Sequence, residues 1–391
     1  MFSLVQMTVA KFLRIQAFRS CCLSATSSRS CADDTSFRNM SVVLDEQRAG
    51  PLRRSAVLRV QLPCSLAISA IGDDLAAVTA RLMGARPQLF LGGESPIALS
   101  IDGTGAGHLT VTGVHGGGGA QAARPDLLCR LRVPFMTSID VDLSGCAQAV
   151  LENLVLDQCR VRTHGSGNIT LSNVKANSVT LNVEDGSIKA TGALQGNLEA
   201  VAQGSGGFKA KRFLANCLKV KTLVGQQHIS AVYAEKACLD STEGAIDIGT
   251  LHSQDAVLVS QSGAITLGGL DGERCVVTTN SGDVSVVVAH SQHLSIVTES
   301  GNVMLSLSAP CKVTTDAPVV KSDFDGLSRE DVRSPLEPQI TARSRSGSVI
   351  IKKQDWITSL NLGGGGSCTH ISSFLGTVCV SPRGLQSPRP A

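Results

Sequence analysis

Ser262-Gly263-Ala264-Ile265-Thr266-Leu267 is followed nineteen residues on by Ser281-Gly282-Asp283-Val284-Ser285-Val286, and nineteen further by Ser300-Gly301-Asn302-Val303-Met304-Leu305. A small or acidic residue, a glycine, one further residue and an alternating apolar run thus recur at a fixed period, and such self-similarity is the signature of a repeat architecture. Toward the amino terminus the same unit reads Glu243-Gly244-Ala245-Ile246-Asp247-Ile248, Gly206-Gly207-Phe208, Asp185-Gly186-Ser187-Ile188 and Ser166-Gly167-Asn168-Ile169-Thr170-Leu171. Its glycines, Gly167, Gly186, Gly207, Gly244, Gly263, Gly282 and Gly301, are separated by 19, 21, 37, 19, 19 and 19 residues. The long step is read as two coils, with Gln227-His228-Ile229 where one glycine has slipped. A last copy, Ser346-Gly347-Ser348-Val349-Ile350-Ile351, comes after 46 residues, so the Pro-containing stretch 310–341 is an insertion.

Each unit carries a second alternating run midway, such as Val179-Thr180-Leu181-Asn182-Val183, Leu218-Lys219-Val220 and Leu294-Ser295-Ile296-Val297. Apolar spacing of 2 rather than 3.6 excludes helices. An array of hairpins would need a paired turn every 8–12 residues, whereas only one regular glycine turn recurs per unit. The expectation is an all-β chain: a parallel β-solenoid of about 19-residue coils in which two strands per coil build two facing sheets. Coils stack about 4.8 Å apart, so about ten of them extend roughly 45–50 Å. Equivalent residues then sit on one another, and a thin interior between sheets about 10 Å apart favours Ile, Val, Leu, Ala and Cys over large rings. The composition agrees, with 39 glycines and 13 cysteines but aromatic residues at only 3% of 391, including one tryptophan and one tyrosine. The turn glycines are expected to supply a positive φ, with the preceding Ser, Asp or Glu accepting a hydrogen bond from the turn backbone.

Upstream, Leu58-Arg59-Val60-Gln61-Leu62-Pro63 and Leu131-Arg132-Val133-Pro134 each lead through proline into a second strand, Leu66-Ala67-Ile68 and Ile139-Asp140-Val141. The second segment is expected to open the solenoid, and the first to begin a separate strand-rich cap over 41–128 that covers the open edge. Residues 73–83 read as a capped helix within that cap. The domain plan is therefore a leader over 1–32, the cap over 41–128, the solenoid over 129–352 and a Gly-, Ser- and Pro-rich flexible tail over 353–391. Gly116 to Gly119 and Gly363 to Gly366 are read as flexible loops.

The pattern of Val133-Pro134, a strand, and repeated Ser-Gly-x-Ile/Val units over 129–352 resembles the putative-adhesin β-solenoid domain of bacteria. With a targeting leader in front, the whole chain resembles an animal protein family carrying that domain. The resemblance implies a β-solenoid; the adhesin label implies no particular ligand and no catalytic residue.

Residues 1–32 contain Lys11, Arg14, Arg19 and Arg29, no acid, and a Ser-rich stretch, which describes a mitochondrial transit peptide cleaved near Arg19 or Arg29. The expected location is mitochondrial, most simply the matrix, with the cytoplasm as the alternative. The formal charge of +3 is largely this leader: 31 basic residues face 32 acids in the remainder, which argues against nucleic acid as the main ligand. No run approaches the ~20 apolar residues of a membrane span.

The cysteines show no Cys-x-x-Cys pair and no zinc-site spacing with histidine, so no metal is expected. Cys159, Cys217, Cys238, Cys275 and Cys311 precede the second strand of their coils and read as a buried ladder of small thiols. Asp185, Glu243 and Glu299 near the glycine turn, with Asp247 and Asp283 on the following strands, read as solvated residues without a basic residue at the same phase. His228, His252, His290 and His293 read as scattered surface residues. Gly103-Thr104-Gly105-Ala106-Gly107 precedes a strand rather than a helix, so it forms no dinucleotide loop and no cofactor is expected. The function expected is a non-enzymatic binding or scaffold solenoid with a protein or glycan partner. The alternatives are a carbohydrate-active enzyme with a carboxylate pair on one face, or a self-assembling protein that needs an uncapped terminal coil.

Overall fold

A computed structural model describes residues 42–51, 56–70, 77–84, 98–104, 108–114, 124–308, 311–323 and 338–354. The leader, the Gly116–Gly119 loop and the tail beyond 354 lie outside these residues. Every regular element described is a β-strand, and together they form a parallel β-solenoid of about nine turns.

The central coils are single long strands: β9 (Ala149–His164), β10 (Ile169–Val183), β11 (Ile188–Ala202), β12 (Phe208–Thr222), β13 (Gln227–Ser241), β14 (Ile246–Ser260), β15 (Ile265–Thr279) and β16 (Val284–Thr298). Each pairs in parallel with the next, and the ladder between β10 and β11 breaks twice, after Leu171 and after Lys175, so the strand bends there before its glycine turn. The register makes columns of like residues. Ile169, Ile188, Phe208, Gln227, Ile246, Ile265 and Val284 stack in one, and Leu181, Ala200, Val220, Leu239, Leu258, Val277 and Ile296 in another. All of them are buried, which places the core between the coil's own walls. Two rings enter this core against expectation: Phe208 and Phe213 are fully buried in one coil, where the next inward positions along the strand and one coil below are Ala210 and Ala190.

The glycine columns correct the sequence reading in two respects. The stack runs Gly167, Gly186, Gly206, Gly225, Gly244, Gly263, Gly282, Gly301, Gly347, so Gly206 rather than Gly207 holds the turn and the coil thought to lack a glycine has Gly225. None of these has a positive φ; that conformation belongs to Gly145, Gly165 and Gly196. The glycines are needed for close approach, because a Cβ on any of them would overlap the carbonyl oxygen of the residue one coil below, itself a glycine from Gly186 onward. The turn is capped from three residues back: Ser260, Thr279, Thr298 and Ser344 accept the N–H of Gly263, Gly282, Gly301 and Gly347 through their buried hydroxyls. The serine directly before the glycine donates to the coil below instead, as Ser281 Oγ does to Gln261 O.

At the amino-terminal end β2 (Val57–Leu62), β3 (Cys64–Ala70), β7 (Arg124–Val133) and β8 (Thr137–Ser144) are rungs of the same stack. They are interleaved: β3 lies between β9 and β7, and β2 between β8 and β6 (His108–Val114). The first strand-proline-strand segment is thus woven into the second and does not begin a separate layer. The edge is closed by antiparallel strands, β4 (Ala77–Gly84) on β7, β1 (Val42–Pro51) on β4, and β5 (Ala98–Thr104) on β6. Gly103 lies in this last hairpin. The helix expected over 73–83 is strand β4 from Ala77 onward, because Val78, Ala80 and Leu82 are buried at period 2. Residues 73–76 lie outside those described.

The other end repeats the device. β17 (Val303–Leu307) follows β16, and then β20 (Gln339–Ser344) and β21 (Ser348–Lys353) take the next rung. β18 (Lys312–Asp316) and β19 (Val319–Ser322), earlier in the chain, pair on the outer side of that rung. Part of the insertion therefore supplies the last rung, and Gly347 stacks directly on Gly301.

Candidate groove on the solenoid face

Parallel register places outward side chains of successive coils beside one another, about 4.8 Å apart. Charges along the solenoid therefore form cross-coil pairs: Lys221 with Asp240 at 3.2 Å, Arg274 with Asp255 at 3.6 Å, Arg345 with Glu299 at 3.1 Å, and Arg59 with Asp140 at 3.8 Å. The histidines join them. His228 Nδ1 lies 2.7 Å from Asp247 Oδ2 and His252 Nδ1 lies 3.0 Å from Asp271 Oδ2. His228 and Asp247 share a column, which corrects the view that no basic residue stands at the phase of that aspartate. The Tyr233 ring stacks on His252 with centroids 4.8 Å apart and planes 4° from parallel. His290 continues the column beyond Asp271, while His293 stands in a different one, beside Arg274. His164 bridges Asp142 and Glu184, each at 3.1 Å. Hydrogen bonds from His164 and from the Gly165 N–H hold the Glu184 carboxyl below the ordinary carboxylate range.

The cysteines do not form the expected ladder. Cys159 and Cys275 share one inward column, but five coils separate them. Cys217 and Cys238 lie in two other columns, beside Lys236 and Lys219. Cysteine occurs before the second strand in both inward and outward positions, and a shift of one residue turns a side chain to the other face. Burial pushes the Cys159 and Cys275 thiols up to about 12. Among the described residues no group of three or more His, Cys, Asp and Glu has the arrangement of a metal site.

The outward columns are interrupted beside the turns of the central coils. A concavity of about 670 Å³ opens beside the glycine turns of β11 to β14, lined by Lys189, Lys209, His228, Asp247, Gly207 and Gln226 among others. Two features shape it. Lys189 and Lys209 are neighbours in one outward column, both exposed, with no ion-pair partner within 4.0 Å among the described residues. The wall is the column directly before the first inward residue, Asn168, Ser187, Gly207, Gln226, Ala245, Ala264, Asp283, Asn302 and Ser348. Toward its ends, Asn168 Oδ1 accepts the Ser187 N–H, Asp283 Oδ1 the Asn302 N–H and Asn302 Oδ1 the Ser348 N–H. In the middle, where Gly207, Ala245 and Ala264 bring no side-chain acceptor, the N–H groups one coil on, of Gln226, Ala264 and Asp283, have no partner among the described residues, and neither do those of Gly207 and Ala245 above Ser187 and Gln226. A Cβ on Gly207 would lie 3.2 Å from Gln226 N, so the missing side chain leaves the concavity next to that N–H.

Sequence reasoning named His228 and Asp247 here but missed the lysines, because overall charge balance hides a local excess. β12 holds Lys209, Lys211, Arg212, Lys219 and Lys221 and no acid, a signal that was readable. It found Gly207 for the wrong reason: the residue is a gap in the wall and not a turn.

Residues 195–351 match the family model described as Toastrack DUF4097, and residues 118–237 match the model described as "Putative auto-transporter adhesin, head GIN domain". The resemblance to bacterial adhesin-type domains is thereby borne out at the level of the domain. Among solved structures, a "putative cell adhesion protein from Clostridium sporogenes ATCC 15579" is matched at 8% identity over 79% of this chain and 99% of that one, with a TM-score of 0.19. No helix of the described residues is long and apolar enough to cross a membrane.

Proposed function

We propose that the chain is a non-catalytic binding solenoid that presents the groove of coils β11 to β14 to an extended protein or glycan partner. The observation that carries this is the groove itself, an open concavity whose lining brings two adjacent lysines without an ion pair beside uncapped backbone N–H groups. The adhesin description of the matched domain supports a binding role. A carbohydrate-active enzyme would place two carboxylates about 5–10 Å apart around the scissile bond. The groove lining includes one, Asp247, and His228 engages it.

The test is to incubate the purified protein with a panel of oligosaccharides and peptides while following both binding and product formation by mass spectrometry. Binding without turnover is expected; turnover of any panel member would overturn the non-catalytic reading. The acid-free segment 1–32 supports delivery to mitochondria, and residues 1–40 fused to a fluorescent reporter should carry it there. A diffuse cytosolic signal would refute that part.

A further inference from the structure

Several clusters of charge outside the groove satisfy themselves. Asp142, His164 and Glu184 satisfy one another, the Tyr233–His252 stack is continued by Asp271, and Lys221 and Arg274 each hold an aspartate. The groove brings together cations without an ion pair and backbone donors without a partner among the described residues. Lys189 and Lys209 occupy adjacent coils, and the unpaired N–H groups of Gly207, Gln226 and Ala245 rise along the wall at the same step. Backbone N–H groups converging on a concavity form an anion site, and ammonium groups beside them add charge-assisted hydrogen bonds.

Asparagine and aspartate elsewhere in the column show what this site accepts. Asp283 places a carboxylate oxygen 2.7 Å from the Asn302 N–H one coil on, so a carboxylate-like oxygen is the natural occupant of the equivalent positions above Ser187 and above Gly207, which face the Gly207 and Gln226 N–H groups.

We propose that the groove binds a ligand bearing two oxyanion groups about one coil rise apart, about 4.8 Å. One would lie between Lys189 and the Gly207 N–H, the other between Lys209 and the Gln226 N–H. This rests on the binding reading above and names the chemistry of what is bound. Adjacent uronate carboxylates of an acidic oligosaccharide and the two outer oxygens of a diphosphate share that chemistry. An extended acidic peptide fits less well, since its same-side carboxylates repeat at about 6.6–6.8 Å. Duplex nucleic acid would need a long basic track, whereas Lys219 stands beside Glu199 and Lys221 is paired to Asp240.

The experiment titrates the full chain with tetragalacturonate, pyrophosphate and acetate at low salt by calorimetry. Tetragalacturonate or pyrophosphate is expected to bind at least about ten-fold more tightly than acetate, and the tighter of the two identifies the source of the oxyanions. The double variant K189Q/K209Q is expected to lose at least about ten-fold, as charge-assisted contacts are removed. Ser187→Asp, which supplies beneath the Gly207 N–H the carboxylate that Asp283 provides elsewhere, is expected to fill one of the two positions and weaken binding while the thermal midpoint is held. Lys236→Gln, an unpaired outward lysine in another column, is expected to change nothing. Binding that survives K189Q/K209Q and S187D, or that falls equally in K236Q, would overturn the site while leaving the non-catalytic reading intact. Turnover of tetragalacturonate would overturn that reading and leave the anion site standing.

Discussion

Gly263 is needed because the carbonyl of Gly244 occupies the space its side chain would take, and not because of its φ. Gly263→Ala is therefore expected to destabilise by roughly 1–3 kcal/mol, the cost of overpacking, since the coils must part to admit a methyl group. Gly269→Ala is the internal comparison, its nearest neighbour being Thr250 Cγ2 at an ordinary 3.6 Å, and should fall within about 0.5 kcal/mol of the parent in urea unfolding. The thiols divide in the same way. Cys159 and Cys275, buried and raised to about 12, stay protonated at neutral pH and should resist iodoacetamide, whereas exposed Cys146 should be alkylated well before them when digests are followed by mass spectrometry. Glu184 gives a dependence of known sign. Its depressed folded value means that its contribution is present above its unfolded value near 4.5 and is lost as pH falls through the folded one. Melting of the parent and of Glu184→Gln should differ slightly at pH 6 and converge toward pH 3; a gap that widens on acidification would contradict the assignment.

At the scale of elements, the two ends are built by strands that are out of chain order. β20 is held on both sides, by β16 and β18, and its Ile340 is 1% exposed, whereas β19 forms the outer rung with Val319 at 48%. Ile340→Ala should cost about 2–4 kcal/mol and Val319→Ala less than about 0.5, read from denaturant midpoints. The central coils were legible in the sequence because their period is local: Ile265, Val284 and Val303 declare their stacking by a step of nineteen. The weaving of β2 and β3 through β7 and β8 was not, because local periodicity says nothing about which distant rung a strand joins. Residues 73–83 misled for a related reason, since Asp73 and Asp74 ahead of an Ala-rich run read as a capped helix, and the alternation of Val78, Ala80 and Leu82 wins only through burial on β7. The turn glycines were found by pattern while their cause was not, since a contact across coils cannot be read along one of them.

Over the whole molecule, parallel stacking does two things at once. It turns the apolar half of each coil into a continuous core, and it turns the polar half into columns whose members neutralise or cap one another. The solenoid is stable where those columns are complete, as with Asp283 and Asn302, and able to bind where they are not, as at Gly207 and Gln226. The run of uncapped N–H groups begins at Gly207 and Gln226, beside the coils that bring Lys189 and Lys209 to the surface, so stability and recognition are divided along one axis. The central claim is that the interrupted column is the binding site, and amide NMR of the full chain titrated with tetragalacturonate or pyrophosphate tests it most directly. The account predicts that the amide signals of Gly207, Gln226 and Ala245 move first and farthest, while capped Asn302 and Ser348 stay in place. Shifts spread evenly around the coils, or centred away from these three residues, would contradict it.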